Sequence, residues 1–153
     1  MLTTCWAICW LAELTLARLD PIRSKYYTDL QLMQGEWELV TMEPEFQKEL
    51  FKGMRLTVKG NTMISRFGRG TSKREIEFRF ILRPQLSPKG IDSFDPDQRD
   101  SPPGVAIYEV TEHLLIILDH AKVGEGRPKD FSFPDPDDND YYFYCLMVFR
   151  RVK

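Results

Sequence analysis

LMQGEWELV, residues Leu32 to Val40, sets a glycine two places ahead of a tryptophan at the start of an alternating stretch. Glu36 and Glu38 share one face, and Trp37 and Leu39 share the other. Period-two alternation over Gly35–Thr41 predicts a half-buried strand. A ring as large as that of Trp37 at a strand's entrance needs a cover, and Gly35 lets another part of the chain come close. The stretch therefore reads as the closed floor of a small β-barrel.

The same period continues along the chain. Met54–Lys59 and Thr62–Phe67 alternate on either side of Gly60-Asn61, a turn. Arg74–Leu82 is the clearest strand, with Ile76, Phe78, Phe80 and Leu82 opposed by Glu77 and Arg79. Ile91–Phe94 is short, and DPDQRDSPPG after it is a loop. Val105–Val110 and Leu114–Asp119 form a hairpin around Thr111–His113. Phe131–Phe133 reads as a brief strand and Tyr141–Val152 as a long final one. Pro44–Phe51 reads as a short helix after the first strand, with Phe46, Leu50 and Phe51 on its apolar side and Gly53 beyond its end. No long helical pattern alternates with the strands, so a parallel α/β fold does not fit. The pattern predicts an all-β, antiparallel up-and-down barrel of about eight strands, with a sandwich as the other arrangement. Such a barrel holds packed side chains or one small ligand.

A chain of 153 residues suits one barrel domain, here residues 30–153, behind an N-terminal segment of residues 1–29. In that segment Trp6, Cys9, Trp10 and Glu13 follow helical spacing, and Asp20-Pro21 ends the run. The apolar run Cys5–Ala12 is too short to cross a membrane, and no basic residue precedes it as a secretory leader requires. Thr15-Leu16-Ala17 nevertheless passes as a small-residue cleavage site, which keeps a secreted or periplasmic leader as the other reading. The three cysteines, Cys5, Cys9 and Cys145, form no dense pattern, so a reducing, cytoplasmic setting is expected. The formal net charge of −2 gives no general attraction to nucleic acid or anionic membrane.

Chemistry-bearing motifs are sparse. His113 and His120 are the only histidines, and no Cys or carboxylate pair stands at ligand spacing beside them, so no metal and no cofactor is expected. No phosphate loop, HExxH or GxSxG occurs, no catalytic residue is assigned, and a non-enzymatic role is the expectation. The acidic run Asp135, Asp137, Asp138 and Asp140 lacks the glycine and distal glutamate of a calcium loop and reads as a solvated turn. The basic residues Arg66, Arg69, Lys73 and Arg74 around Phe67 read as a solvated turn too. Arg127-Pro128 leads an extended segment, in which Arg127 either bonds carbonyls to close the barrel or lines a ligand mouth.

A first strand with Gly35-x-Trp37, a last strand ending in Arg150-Arg151 and antiparallel strands between them resemble the lipocalin and wider calycin barrels. The order LMQGEWELV, KGMRLTVKGN, SPKGID, PPGVAIYEV, GRPKDF and LMVFRRVK, from about Leu30 to Lys153, more closely resembles the small lipocalin-like domain described chiefly from planctomycete bacteria, a family with no assigned function. DSFDPDQRDSPP and FPDPDDNDYYF depart from its short form. The resemblance implies a floor in which Trp37 lies across the barrel end, Gly35 precedes it, and a basic residue of the last strand covers the ring. Either Arg150 or Arg151 fits. Arg150 is favoured here, on the face of Tyr142, Tyr144, Leu146 and Val148. The resemblance also implies binding of a small apolar or amphipathic ligand inside the barrel. Phe46 and Phe51 would then serve as a lid, and Phe78, Phe80, Tyr108 and Tyr144 as the lining. If those rings fill the interior instead, the chain is a packed interaction or accessory domain that meets a protein partner through its loops or the Trp6/Trp10 segment.

Overall fold

Short reversals between alternating strands favour pairing of each strand with the next, and the sheet closes on itself when the last strand reaches the first. The computed structural model describes residues 21–68, 72–98, 100–120 and 126–153. Helix α1 (Pro21–Met33) leads into strands β1 (Gly35–Glu43), β2 (Arg55–Lys59), β3 (Thr62–Phe67) and β4 (Arg74–Arg83). Strands β5 (Gly90–Phe94), β6 (Gly104–Val110), β7 (Leu114–His120) and β8 (Tyr144–Arg151) follow. All eight are antiparallel neighbours in chain order, and β8 pairs with β1 to complete the closed barrel. The N-terminal features at Cys5–Glu13 lie outside the described residues. The expected boundary at Leu30 falls inside α1.

Alternation decides the interior. Trp37, Leu56, Val58, Met63, Phe80 and Leu82 point inward from the first four strands, and Tyr108, Leu115 and Phe149 from the last three. In β1 a bulge between Leu39 and Thr41 shifts the register, leaving Val40 exposed and turning Met42 to the buried side. Three expected elements differ: the final strand, expected from Tyr141, starts at Tyr144 after a 3-10 turn at Tyr141–Phe143, and two others do not form. Pro44–Phe51 is not a helix: only Glu45–Gln47 forms a 3-10 turn, and Phe46 and Leu50 are each 60% exposed. A helix so short needs a buried face to hold it, and this one has none. Phe131–Phe133 is not a strand, because β7 pairs directly with β8 and leaves no gap in the barrel.

The floor is built around Trp37, which is fully buried. Its indole Nε1 donates to Met33 O at 2.9 Å, at the end of α1. Trp37 and Arg151 are direct cross-strand partners, so both face inward. The Arg151 guanidinium lies 4.1 Å from the indole centroid. It also donates to Gln34 O and Glu112 O, each at 2.6 Å, and to Leu32 O. A cation on these carbonyls satisfies acceptors that the helix end leaves open. Gly35, at φ +110°, is where glycine is required: a Cβ there would stand 3.1 Å from Arg151 Nη1. The expectation of Arg150 is corrected by this register. Arg150 pairs opposite Glu38 and bonds its carboxylate at 2.6 Å on the outside. Two further ties seat the helix. Tyr108 Oη donates to Asp29 Oδ2 at 2.7 Å, and Gln34 exchanges hydrogen bonds with the Gly60 backbone at 2.7 and 3.1 Å.

The outer face of β5–β8 is covered as well. Ile107 and Leu118 are cross-strand partners, turn away from the interior cluster and are fully buried. Arg127 lies on this side. It donates to Ile91 O at 2.8 Å, to Ala106 O and to Asp92. Gly90 makes room for it, since a Cβ there would sit 2.8 Å from the guanidinium carbon. Burial works to raise the Asp92 carboxyl, but hydrogen bonds from Arg127 and Arg83 outweigh it and hold the group below its ordinary range. Of the two readings of Arg127, carbonyl bonding is the one seen, on the barrel wall rather than at its end.

Two predictions follow from this packing. In urea denaturation, Trp37→Ala is expected to destabilise the protein by about 3–5 kcal/mol. Arg151→Ala should exceed Arg150→Ala, and the reverse order would contradict the floor as described. Gly90→Ala and Arg127→Ala should each destabilise but fail to add in the double variant, with a coupling of about 0.5–3 kcal/mol.

Candidate functional site

Eight strands enclose more space than the floor residues fill. Above the layer of Trp37, Phe80 and Tyr108 lies a cavity of about 150 Å³. Leu56, Phe78, Ile91, Ile117 and Phe149 give it an apolar wall, and the flexible thioethers of Met54, Met63 and Met147 complete that wall. Three polar side chains interrupt it: Ser65 from β3, Ser93 from β5 and Asp119 from β7. A cleft of about 500 Å³ beneath the 95–104 loop shares Phe78 and Ser93 with the cavity and so adjoins it.

The inward position of Asp119 follows from strand parity. Leu115 and Ile117 point into the core, and Asp119 is two places further on the same face. Its cross-strand neighbours are Ala106 and Cys145, which supply no countercharge. Burial pushes the Asp119 carboxyl above its usual value, against the opposing pull of the His120 backbone N–H and the His120 side chain. Burial, and then the charge of Asp119, push the Cys145 thiol up to about 12, so it stays neutral and unreactive. Ser65 is 6% exposed, and its hydroxyl has no hydrogen-bond partner among the described residues.

Of the six aromatic residues expected to hold a ligand, Phe78 alone lines the cavity. Phe80 and Tyr108 belong to the packed layer below it, and the Tyr108 hydroxyl is committed to Asp29. Phe51 packs on Phe67 with ring centroids 4.8 Å apart. Phe46 lies out in solvent against Tyr142 at 5.7 Å, and so is no lid. Tyr144 is on the outer face, stacked on His120 at 4.5 Å. Asp119, Ser65 and the methionines escaped the sequence reading, which weighted aromatic rings over parity.

The remaining motifs sit apart from the cavity. His113 and His120 bracket β7, about 20 Å apart at strand rise, and cannot share a metal. In the acidic loop, Asp135 and Asp138 accept the backbone N–H groups of Asp137 and Asp140 at 3.1 and 3.0 Å. Arg66 bonds Glu75 at 2.6 Å, and Arg69 lies outside the described residues. No helix among the described residues is long and apolar enough to cross a membrane. Compared with known proteins, the chain matches no family model, and no curated protein is similar to it.

Asp119 makes a pH signature. A carboxyl raised in the folded state contributes stability that is fully present below the unfolded value, about 3.9, and is lost as pH rises through the folded value. Asp119→Asn should therefore raise the melting temperature at pH 7. The gain should vanish towards pH 3, in thermal melts followed by circular dichroism.

Proposed function

We propose that this protein is a non-enzymatic, lipocalin-like binder of a small apolar or amphipathic molecule, held inside the barrel. The observation that carries the reading is the 150 Å³ cavity with its predominantly apolar lining. Fully packed interiors leave few voids larger than a water molecule, so an opening of this size is unusual for a purely structural core. An apolar cavity of about that volume takes up a molecule such as benzene. Larger ligands would have to use the adjoining cleft as well, since drug-sized sites run to about 300–1,000 Å³.

A second reading, a protein-docking domain, has its own support. Phe46 and Tyr142 pack on one another while 60% and 66% exposed, and Leu50, in the turn after Glu45–Gln47, is exposed as well. Solvent-facing aromatic clusters of this kind favour a partner surface.

Toluene titrated into the protein and followed by NMR shifts distinguishes the two readings. Binding that perturbs cavity methyl groups, and that Ala106→Leu abolishes by filling the space, is expected for the binder. No binding of toluene, benzyl alcohol or benzylamine at millimolar concentration would remove that reading and leave the docking one.

A further inference from the structure

The polar groups of the cavity are arranged asymmetrically. Asp119 is the only charged side chain among the described residues that line it. β3 and β7 stand half a turn apart in the eight-strand ring, so Ser65 faces Asp119 across the space. The nearby arginines are engaged elsewhere: Arg83 and Arg127 are bound to Asp92 on the outer face. The His120 ring is stacked on Tyr144 on that face, and its pull on Asp119 is weaker than the effect of burial. Asp119 accepts the backbone N–H of His120, and no ion pair with a described residue completes it.

Accepting the binder reading, we propose that the cavity selects a small molecule with an apolar body and one ammonium group, and that Asp119 holds the ammonium. Folding has already removed part of the water from this half-buried carboxylate, so a cationic ligand adds mainly its own desolvation to the balance. A hydroxyl can also donate to a carboxylate, but it brings no opposite charge and leaves the charge of Asp119 uncompensated, so it would replace the cation poorly. An ammonium also has three donors. One meets Asp119, and the others stay available for the ligand's surroundings. Leu56, Phe78 and Ile117 receive the apolar body. The volume limits that body to about one six-membered ring with a short arm.

Benzylamine, benzyl alcohol and toluene share a ring and differ in the group presented to Asp119. Each is titrated at pH 7 against the wild-type chain and against Asp119→Asn, a near-isosteric change that keeps the fold. In the wild type, benzylamine is expected to bind at least about tenfold more tightly than benzyl alcohol. In Asp119→Asn that advantage should disappear while toluene binds as before. Equal binding of amine and alcohol by the wild type, or an amine preference that survives Asp119→Asn, would overturn the assignment. Toluene binding in either case keeps the binder reading intact. Failure of all three to bind overturns both.

Discussion

The stack of Arg151 on Trp37 holds the rest of the barrel in place. A cation–π contact contributes about 0.5–2 kcal/mol, more when desolvated, but its position matters beyond that magnitude. The same guanidinium bonds the carbonyl end of α1 through Leu32 and Gln34, and the β6–β7 turn through Glu112. The indole is fastened in turn to Met33 O. One pair of side chains thus joins the first strand, the last strand, the helix and a hairpin. Losing the arginine would leave helix-end carbonyls unpaired at a partly buried site, a more damaging outcome than losing an exposed ion pair such as Arg150–Glu38.

The barrel divides into a lower half built for rigidity and an upper half that gives rigidity up. Below, Trp37, Phe80, Tyr108 and Leu115 interdigitate, and the polar atoms of Trp37 and Tyr108 find partners on α1. Above, a hydroxyl without a partner among the described residues and a half-buried carboxylate face open space. Filling that space with Leu or Ile would be the more stable solution. Groups that weaken a fold without a structural return are the ones expected where binding matters.

Alternation made the strands legible, because one residue in two had to be apolar; Thr62–Phe67 is recovered residue for residue. It failed where both faces are apolar. In β8 the even residues, Leu146 and Val148, are half-buried because the outer face is covered too, so hydropathy alone did not separate Arg150 from Arg151. The bulge at Val40 and the outer-wall role of Arg127 were equally hidden, since both depend on neighbours distant in sequence. Asp119 was within reach: carrying the parity of Leu115 and Ile117 one step further places it inside. Phe46 misled because an aromatic residue in a loop carries no period to say which way it faces.

The order of strands has a consequence for how the molecule forms. Seven of the eight pairings join neighbours in sequence, whereas the eighth joins β1 to β8 across nearly the whole described chain. Such long-range closure is slow, because a large loop must be ordered before its contacts form. On the ribosome β1 emerges before β8 and stands as an open edge until β8 follows. Its outward Glu36 and Glu38 put charge on that edge, a feature that discourages pairing with other chains. The sheet is sealed only when β8 docks on β1, so the nascent barrel stays an open ribbon until Arg151 is free to reach Trp37.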